Sequence, residues 1–447
     1  MSDVPGPIAS LRLRGFGVAF GEQVVLAAID LDLGPTGVVN LLGPAGAGKS
    51  TLLRTLSGAN HAQPSLRMVG EASLMGVTPG GLYGAALVGQ NARLVVATVL
   101  ENLLSGVPDR LAIPTAEHAS WAASFLDELG LSMLRPLLRA SVVSLPLGTQ
   151  RLVGIARTLA GGPRVLLLDE PTVGLGDDEV EPLLALIRRE GGRRLVVVVT
   201  HNQGHAARLG GEAILLAGGR VIEHAATSEL LGAPRTRPAQ DFVRTGSCAV
   251  ASLTTPPEDL APEFELPPPL PAELARRASC AGPRHFHWII TDALAGLPRP
   301  GLIDDVEHDL DMLRALGVTR LVTLEERQTV GGSLLAARGI AGQHFPVDDM
   351  GAPGLELAIA HCRETLARIE QGEVVAYHCR AGLGRTGTLL AAVLIVSGLD
   401  AISAIDSVRR SQPRFIQSDK QISFLDDLHR RMIGAGEREI APSFLGQ

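Results

Sequence analysis

Residues 41–51 read Leu-Leu-Gly-Pro-Ala-Gly-Ala-Gly-Lys-Ser-Thr, and this run decides how the first half of the chain folds. The apolar stretch Val38–Leu42 before it reads as a strand, and the sequence after it opens a helix. Between them, Gly43, Gly46 and Gly48 let backbone N–H groups curl around phosphate oxygens, and the helix start adds positive potential. Lys49 reaches the outer phosphates, while Ser50, followed by Thr51, offers a hydroxyl to magnesium. A glycine turn formed by chance has no reason to carry the lysine and the hydroxyl at these places. Further out, the apolar runs Val165–Leu168 and Leu195–Thr200 alternate with helical stretches, which is the pattern of a mostly parallel, helix-covered α/β sheet.

The run Val165-Leu-Leu-Leu-Asp-Glu-Pro-Thr172 ends in two adjacent carboxylates. Alone, such a pair is more often a helix cap than a catalytic device. Behind a phosphate loop, Asp169 is the metal-side group and Glu170 the base that orients an attacking water. With these motifs, almost the whole first half resembles ATP-binding cassette ATPases. The resemblance implies ATP and Mg²⁺ as ligands and a cassette with a helical subdomain. It places Phe20 against adenine, Gln90 at the magnesium beside Ser50 and Asp169, and His201 as the switch histidine. The tail from Thr200 to Leu231 and the stretch Ala239–Ser247 are similar to the phosphate-import branch, which implies membrane permease subunits as partners and a dimer, of like or unlike copies, formed through the cassette.

Two departures bear on turnover. Where the family writes a glycine-rich signature, this chain reads Ser144-Leu-Pro-Leu-Gly-Thr-Gln-Arg151, and the aspartate expected after Val173-Gly-Leu175 is Gly176, with Asp177 one place late. In the family the signature of one subunit closes over the nucleotide of the other. ATP binding is therefore the firmer expectation, fast hydrolysis the weaker one. A homodimer would hold two defective composite sites, whereas a partner ATPase with an intact signature would rescue the site containing Glu170.

In the second half, Val374-Val-Ala-Tyr-His-Cys-Arg-Ala-Gly-Leu-Gly-Arg-Thr-Gly387 places a cysteine, five residues, then arginine and threonine between a strand and an apolar helix. Transfer of a phosphoryl group to sulfur needs a thiolate, a cradle for three oxygens and a proton donor. Cys379 is the nucleophile, with a pKa expected to be lowered by the helix start and the surrounding N–H groups. Arg385 supplies a planar charged fork, and the backbone of Arg380, Ala381, Gly382, Leu383, Gly384 and Arg385 completes the nest. Thr386 donates to the thiolate, and His378 orders the loop beneath it. A buried structural cysteine is the commoner fate of a lone Cys, but too many independent elements coincide here. The acid must come from a mobile loop, and Phe345-Pro-Val-Asp-Asp-Met-Gly-Ala-Pro353 offers two aspartates.

Residues 285–430 resemble small dual-specificity phosphatases. The opening Trp288-Ile-Ile, Leu294–Pro300 and Leu316–Glu325 is similar to the compact atypical members, and the loop His378–Leu389 to the mitotic-exit phosphatases. That resemblance implies Asp349 as general acid, with Asp348 the nearest alternative, and sets Gln417 where such enzymes keep a water-positioning glutamine. It implies a phosphorylated protein as substrate, whether phosphotyrosine or phosphoserine and threonine.

A chain of 447 residues exceeds one core, so two or three domains are expected. The reading is a cassette over 1–247, a Pro-rich linker over 248–282 and a phosphatase over 283–447. A formal charge of -7 argues against nucleic acid as a partner of the whole chain. The four cysteines, Cys248, Cys280, Cys362 and Cys379, form no CxxC pair, which fits a reducing compartment. The start MSDVPGPIAS has no basic-then-apolar leader, and no run reaches the ~18 apolar residues that span a bilayer. The expectation is a cytoplasmic protein, peripheral to the inner face of the cell membrane at most. His285 and His287 have a spacing that suits metal from one strand face, but no third ligand is evident. Cys362 is read as a small core residue before a disulfide partner of Cys379, and the pairs Arg276-Arg277 and Arg409-Arg410 as solvated faces. Two functions compete: a transporter motor with an appended phosphatase, and a signalling phosphatase whose cassette senses nucleotide.

Overall fold

The computed structural model describes residues 11–21, 23–74, 84–89, 98–108, 110, 113–253 and 282–434. Gln90, Cys280 and most of the Pro-rich linker lie outside the described residues. The chain divides into two units, residues 1–60 with 67–277 and residues 61–66 with 278–447.

In the first unit, β1 (Leu11–Phe20), β2 (Gln23–Leu33) and β4 (Leu66–Leu74) form a three-stranded sheet. A second sheet has the order β5 (Ala85–Val88), β6 (Val165–Asp169), β7 (Leu195–Val199), β3 (Gly37–Leu42), β8 (Glu212–Ala217) and β9 (Arg220–Ala226). All its pairs are parallel except β8 with β9. The Val- and Leu-rich strands β6 and β7 are buried from end to end apart from Asp169, as helices on both faces require. The helices are α1 (Lys49–Leu56), α2 (Val99–Ser105), α3 (His118–Leu129), α4 (Leu147–Ala160), α5 (Asp177–Gly191), α6 (Gln203–Leu209), α7 (Thr227–Gly232) and α8 (Arg237–Thr245). Leu103, Leu126, Val153 and Leu183 join α2, α3, α4 and α5 to strand residues Leu166 and Val196 in one core. Residues 248–253, read from the sequence as the start of the linker, still pack on this unit. Leu253 is buried with Ala19 and Ala27, so apolar burial extends the folded unit past Ser247.

The second unit is built on a sheet of order β10 (His287–Ile290), β11 (Leu294–Pro298), β14 (Val375–Cys379), β12 (Arg320–Thr323) and β13 (Ala341–His344), parallel except at β10. Its helices are α9 (Val306–Ala315), α10 (Gly332–Ala336), α11 (Leu355–Glu370), α12 (Gly384–Val396), α13 (Ala401–Ser411) and α14 (Asp419–Gly434). Every residue of α12 is buried, which explains why its run from Leu389 to Val396 is apolar all round. No helix among the described residues is long and apolar enough to cross a membrane.

Candidate active sites

In the first unit the strand order brings three chain segments to one edge. β6, β7 and β3 are neighbours, and Asp169 and Leu41 both pair in register with Val199, so the turns that follow these strands converge. This is where parallel sheets hold ligands. The turn after β3 runs from Gly43 to Gly48 and then enters α1 at Lys49. Gly48 has φ 98° and a Cβ there would lie 2.6 Å from Leu26 Cδ2, so the close approach of loop to β2 needs glycine. Lys49 is 5 % exposed, and its Nζ donates to the carbonyls of Gly43 and Pro44 at 2.8 Å each. Burial lowers its pKa against the pull of Glu170 and Asp169. Ser50 Oγ donates to Asp169 Oδ1 at 3.0 Å, which joins the hydroxyl and the carboxylate expected at magnesium.

Glu170 sits in a left-handed backbone conformation, φ 52°, a strain that tends to collect at working sites. Burial raises its pKa to about 7. His201 Nε2 lies 2.9 Å from Glu170 Oε1, and burial lowers the histidine's pKa. Both groups thus shift toward their neutral forms. Phe20 is half-buried at the end of β1. No group of three His, Cys, Asp or Glu that would hold a metal occurs among the described residues. A Ser50–Asp169 pair beside a loop lined with N–H donors fits a magnesium ion whose other ligands are phosphate oxygens and water.

The second site lies at the end of β14, the central strand of its sheet. Cys379 is the last residue of that strand, beside Pro298 of β11, and the loop that follows enters α12 at Gly384. Gly382 has φ 67°, and a Cβ there would meet the Leu297–Pro298 backbone at 2.4 Å, so the loop closes this tightly only with glycine. Cys379 is 3 % exposed, while Arg380 and Ala381 at the rim are exposed. Thr386 Oγ1 donates to Cys379 Sγ at 3.2 Å. His378 is fully buried, with Nε2 2.8 Å from Thr323 Oγ1 and Nδ1 3.9 Å from Glu325 Oε1. Burial pushes its pKa down to about 4, leaving a neutral ring beneath the loop.

Arg385 is 5 % exposed and both of its terminal nitrogens are engaged. Nη1 donates to Glu326 Oε2 and to the Val347 carbonyl, both at 3.1 Å, and Nη2 lies 3.2 Å from Asp349 Oδ1. Burial opposes its charge, but Cys379, Glu326 and Asp349 outweigh it and raise the pKa. Asp349 is therefore brought to the site, with its side chain 75 % exposed; Asp348 makes no contact with Arg385 that parallels it. Gln417 also arrives: a Cβ on Gly384 would lie 3.0 Å from its Oε1.

Sequence reading missed two residues here. Glu326 accepts from both Arg385 and the Asp349 backbone N–H, the latter at 3.0 Å, and so ties the arginine to the acid loop. Gln421, fully buried on α14, accepts from the Gln417 N–H and donates to the Gly351 carbonyl. The pair Glu325-Glu326, just past the end of β12, was a visible signal for the first; nothing in the sequence marked the second. His285 and His287 do not share a strand face, because His285 precedes β10 with φ 60° and is exposed whereas His287 is buried. Cys362 is fully buried on α11 as a free thiol, and burial drives its pKa up.

An ABC transporter family model matches residues 26–173, and a model described as a polymorphic toxin system, DSP-PTPase phosphatase, matches residues 295–399. The first half is 31 % identical over 242 residues to the phosphate import ATP-binding protein PstB 2 of Mycobacterium tuberculosis, covering 52 % of this chain and 88 % of that protein. It is 32 % identical over 244 residues to the phosphate import ATP-binding protein PstB of Mycobacterium intracellulare, covering 52 % and 86 %. With the protein of the same name from Idiomarina loihiensis it is 29 % identical over 260 residues, covering 54 % and 93 %.

Proposed function

The chain belongs, through its first half, to the ABC transporter ATP-binding proteins and stands beside the phosphate import ATPases, and from that premise we propose a bifunctional protein: a cassette that binds Mg-ATP, fused to a cysteine-dependent phosphatase that acts on phosphorylated protein. The observation that carries the phosphatase half is the single cluster of Cys379, Thr386, Arg385 and Asp349 at one strand end.

The chemistry proceeds in two steps. A phosphate dianion entering the loop takes the backbone N–H groups of residues 380–385 and the outer guanidinium nitrogen of Arg385. Asp349, the exposed partner of that nitrogen, is displaced toward the leaving oxygen. The Cys379 thiolate attacks phosphorus, the P–O bond to the leaving group breaks, and Asp349 gives that oxygen its proton. In the second step Asp349 takes a proton from water, whose oxygen attacks phosphorus; the S–P bond breaks, the thiolate is restored with Thr386 donating to it, and inorganic phosphate leaves. Gln417, close to Gly384 of the loop, would orient that water.

In the cassette, Lys49 and the loop amides would bind the phosphates, Phe20 the base, and Ser50 and Asp169 the magnesium, whose charge neutralises the phosphate oxygens. Glu170, paired with His201, is the base that orients water. Permease subunits are proposed partners on the strength of what the relatives are named for. The second reading, a phosphatase whose cassette only senses nucleotide, is favoured by the altered signature and by Gly176. One experiment addresses both activities: hydrolysis of phosphopeptides by the full chain with and without Mg-ATP, alongside Cys379→Ser. The substitution should abolish phosphatase activity and leave ATP binding unchanged. Activity retained in the purified Cys379→Ser protein would remove the proposed nucleophile, and rates that ignore Mg-ATP would reduce the sensing reading to two tethered activities.

A further inference from the structure

The two departures in the cassette sequence, at 144–151 and at Gly176, meet in space on a single side chain. Glu179 lies in the first turn of α5. Its Oε1 accepts the Gly148 N–H at 2.8 Å and its Oε2 accepts the Gly176 N–H at 3.2 Å. Helix α4 begins with Pro146 as its cap residue and receives no hydrogen bond from a capping side chain of its own. The carboxylate from α5 supplies what is missing, at the end of α4 where helix N–H groups and the macrodipole favour an anion. The fit is close. Gly148 is buried, and a Cβ added there would lie 2.7 Å from Glu179 Cβ and 2.9 Å from Oε1.

The surroundings also refuse a second anion. Asp177 and Asp178, exposed in the same first turn as Glu179, repel one. The flanking surface is apolar: Val143 is 83 % exposed, Leu147 42 % and Val173 41 %. Leu147 lies against the turn at Gly174, its Cδ2 3.5 Å from where a Cβ would stand. By contrast the nucleotide site holds Lys49, Ser50, Asp169, Glu170 and His201 together on the edge formed by β3, β6 and β7. One face of the cassette gathers these groups; the other is closed from within.

We propose that Glu179 is a built-in anion occupying the start of α4, so that two copies of this chain do not close over ATP, and that the cassette completing its nucleotide site is a protein of different sequence whose corresponding helix start is free. This rests on the reading of the first unit as an ATP-binding cassette that pairs across nucleotide. It turns the altered signature from a mere loss of glycines into a specific internal contact that selects the partner.

The test is sedimentation velocity of the full chain, with and without magnesium and a non-hydrolysable ATP analogue, with binding of a fluorescent ATP measured in parallel. Wild type should bind the nucleotide and sediment identically in its presence and absence. Glu179→Gln, which keeps the shape and loses the charge and one acceptor, should bind nucleotide as wild type does. It should also gain nucleotide-dependent self-association tighter by about tenfold, the size of one charge-assisted hydrogen bond. Gly148→Ala evicts the carboxylate from the other side and should act alike, which decides the matter if melting curves show the first variant misfolded. A mixture of wild type and Glu179→Gln should form a nucleotide-dependent pair. Wild type that pairs with itself on adding nucleotide, or failure of both variants to pair, overturns the proposal. Wild type that does not bind the fluorescent ATP refutes the nucleotide site itself.

Discussion

Glu326 joins Arg385, the proposed phosphate fork, to Asp349, the proposed proton donor. Its two oxygens hold Arg385 and the backbone of Asp349 at 3.1 and 3.0 Å, so the fork and the acid are set by the same carboxylate. Its pKa lies below the usual range, first through its own backbone N–H and then through Arg385, so it remains charged through neutral pH. Glu326→Gln should keep the fold and lower kcat/KM for a phosphopeptide about tenfold, mostly through KM, because a neutral acceptor holds a guanidinium less firmly. A variant with wild-type kcat/KM would deny the tie any role. In the other unit, burial raises the pKa of Glu170 to about 7, so as the proposed base it is increasingly ionised as pH rises through that region. With a second cassette completing the site, single-turnover ATP cleavage should rise with pH through an inflection at or below about 7, the shift to lower pH coming from bound Mg²⁺. A flat profile through neutral pH would exclude Glu170 as the titrating base. The linkage to stability has the opposite sign. A raised carboxyl pKa means that the folded state holds the proton longer than the unfolded chain, so Glu170 favours folding at acid pH and disfavours it as pH rises toward about 7.

At the scale of elements, the phosphate loop is held by how closely α12 packs on the segment before α14. A Cβ at Gly387 would meet Phe415 Cβ at 2.6 Å and the Ile416 nitrogen at 2.9 Å. Ile416 N–H in turn donates to the Leu383 carbonyl in the loop, and Gln417 follows it. Gly387→Ala should therefore cost ~1–3 kcal/mol by overpacking. It should also raise KM, since the segment carrying Gln417 must move away from the loop. Thermal melting and steady-state kinetics read the two effects. An unchanged KM in a destabilised protein would show that the 415–417 segment supports the fold alone. The elements themselves were legible in the sequence. The run Val165–Leu168 is apolar throughout because it is buried on both faces, and the helix after Cys379 is apolar because it is enclosed. The closeness of Cys379 to the helix carrying Arg385, and of Lys49 to its glycine loop, was legible because the chemistry proposed for them requires a fixed spacing along the chain. The contacts of Glu326, Gln421 and Glu179 were not, although the Glu325-Glu326 pair itself was visible. Each acts across a long sequence separation, Glu179 on Gly148 and Glu326 on Arg385, through contacts that exist only once the sheet order is set.

At the scale of the molecule, two large buried clusters each stay within one unit of the chain. The core joining α2, α3, α4 and α5 to β6 and β7 uses residues from Val38 to Leu209, and the cluster around Phe286, Trp288, Leu297 and Leu321 uses residues from Phe286 to Ala376. The first unit has two sheets and the second has one, and each proposed site lies at the ends of parallel strands of its own unit. Cooperativity in unfolding follows shared burial, so two such cores should melt as two transitions in calorimetry. A ligand stabilises only the unit whose folded form binds it. At a concentration about a hundred times its dissociation constant, Mg-ATP should stabilise one transition by ~2.7 kcal/mol, which raises its midpoint by several degrees. Lys49→Ala should abolish that shift. Orthovanadate, an oxyanion suited to the loop of residues 379–385, should move the other transition alone, and Cys379→Ser should weaken its effect. A single transition that responds to both ligands would instead mean that the units unfold together, and nucleotide bound at Lys49 would then be felt at Cys379.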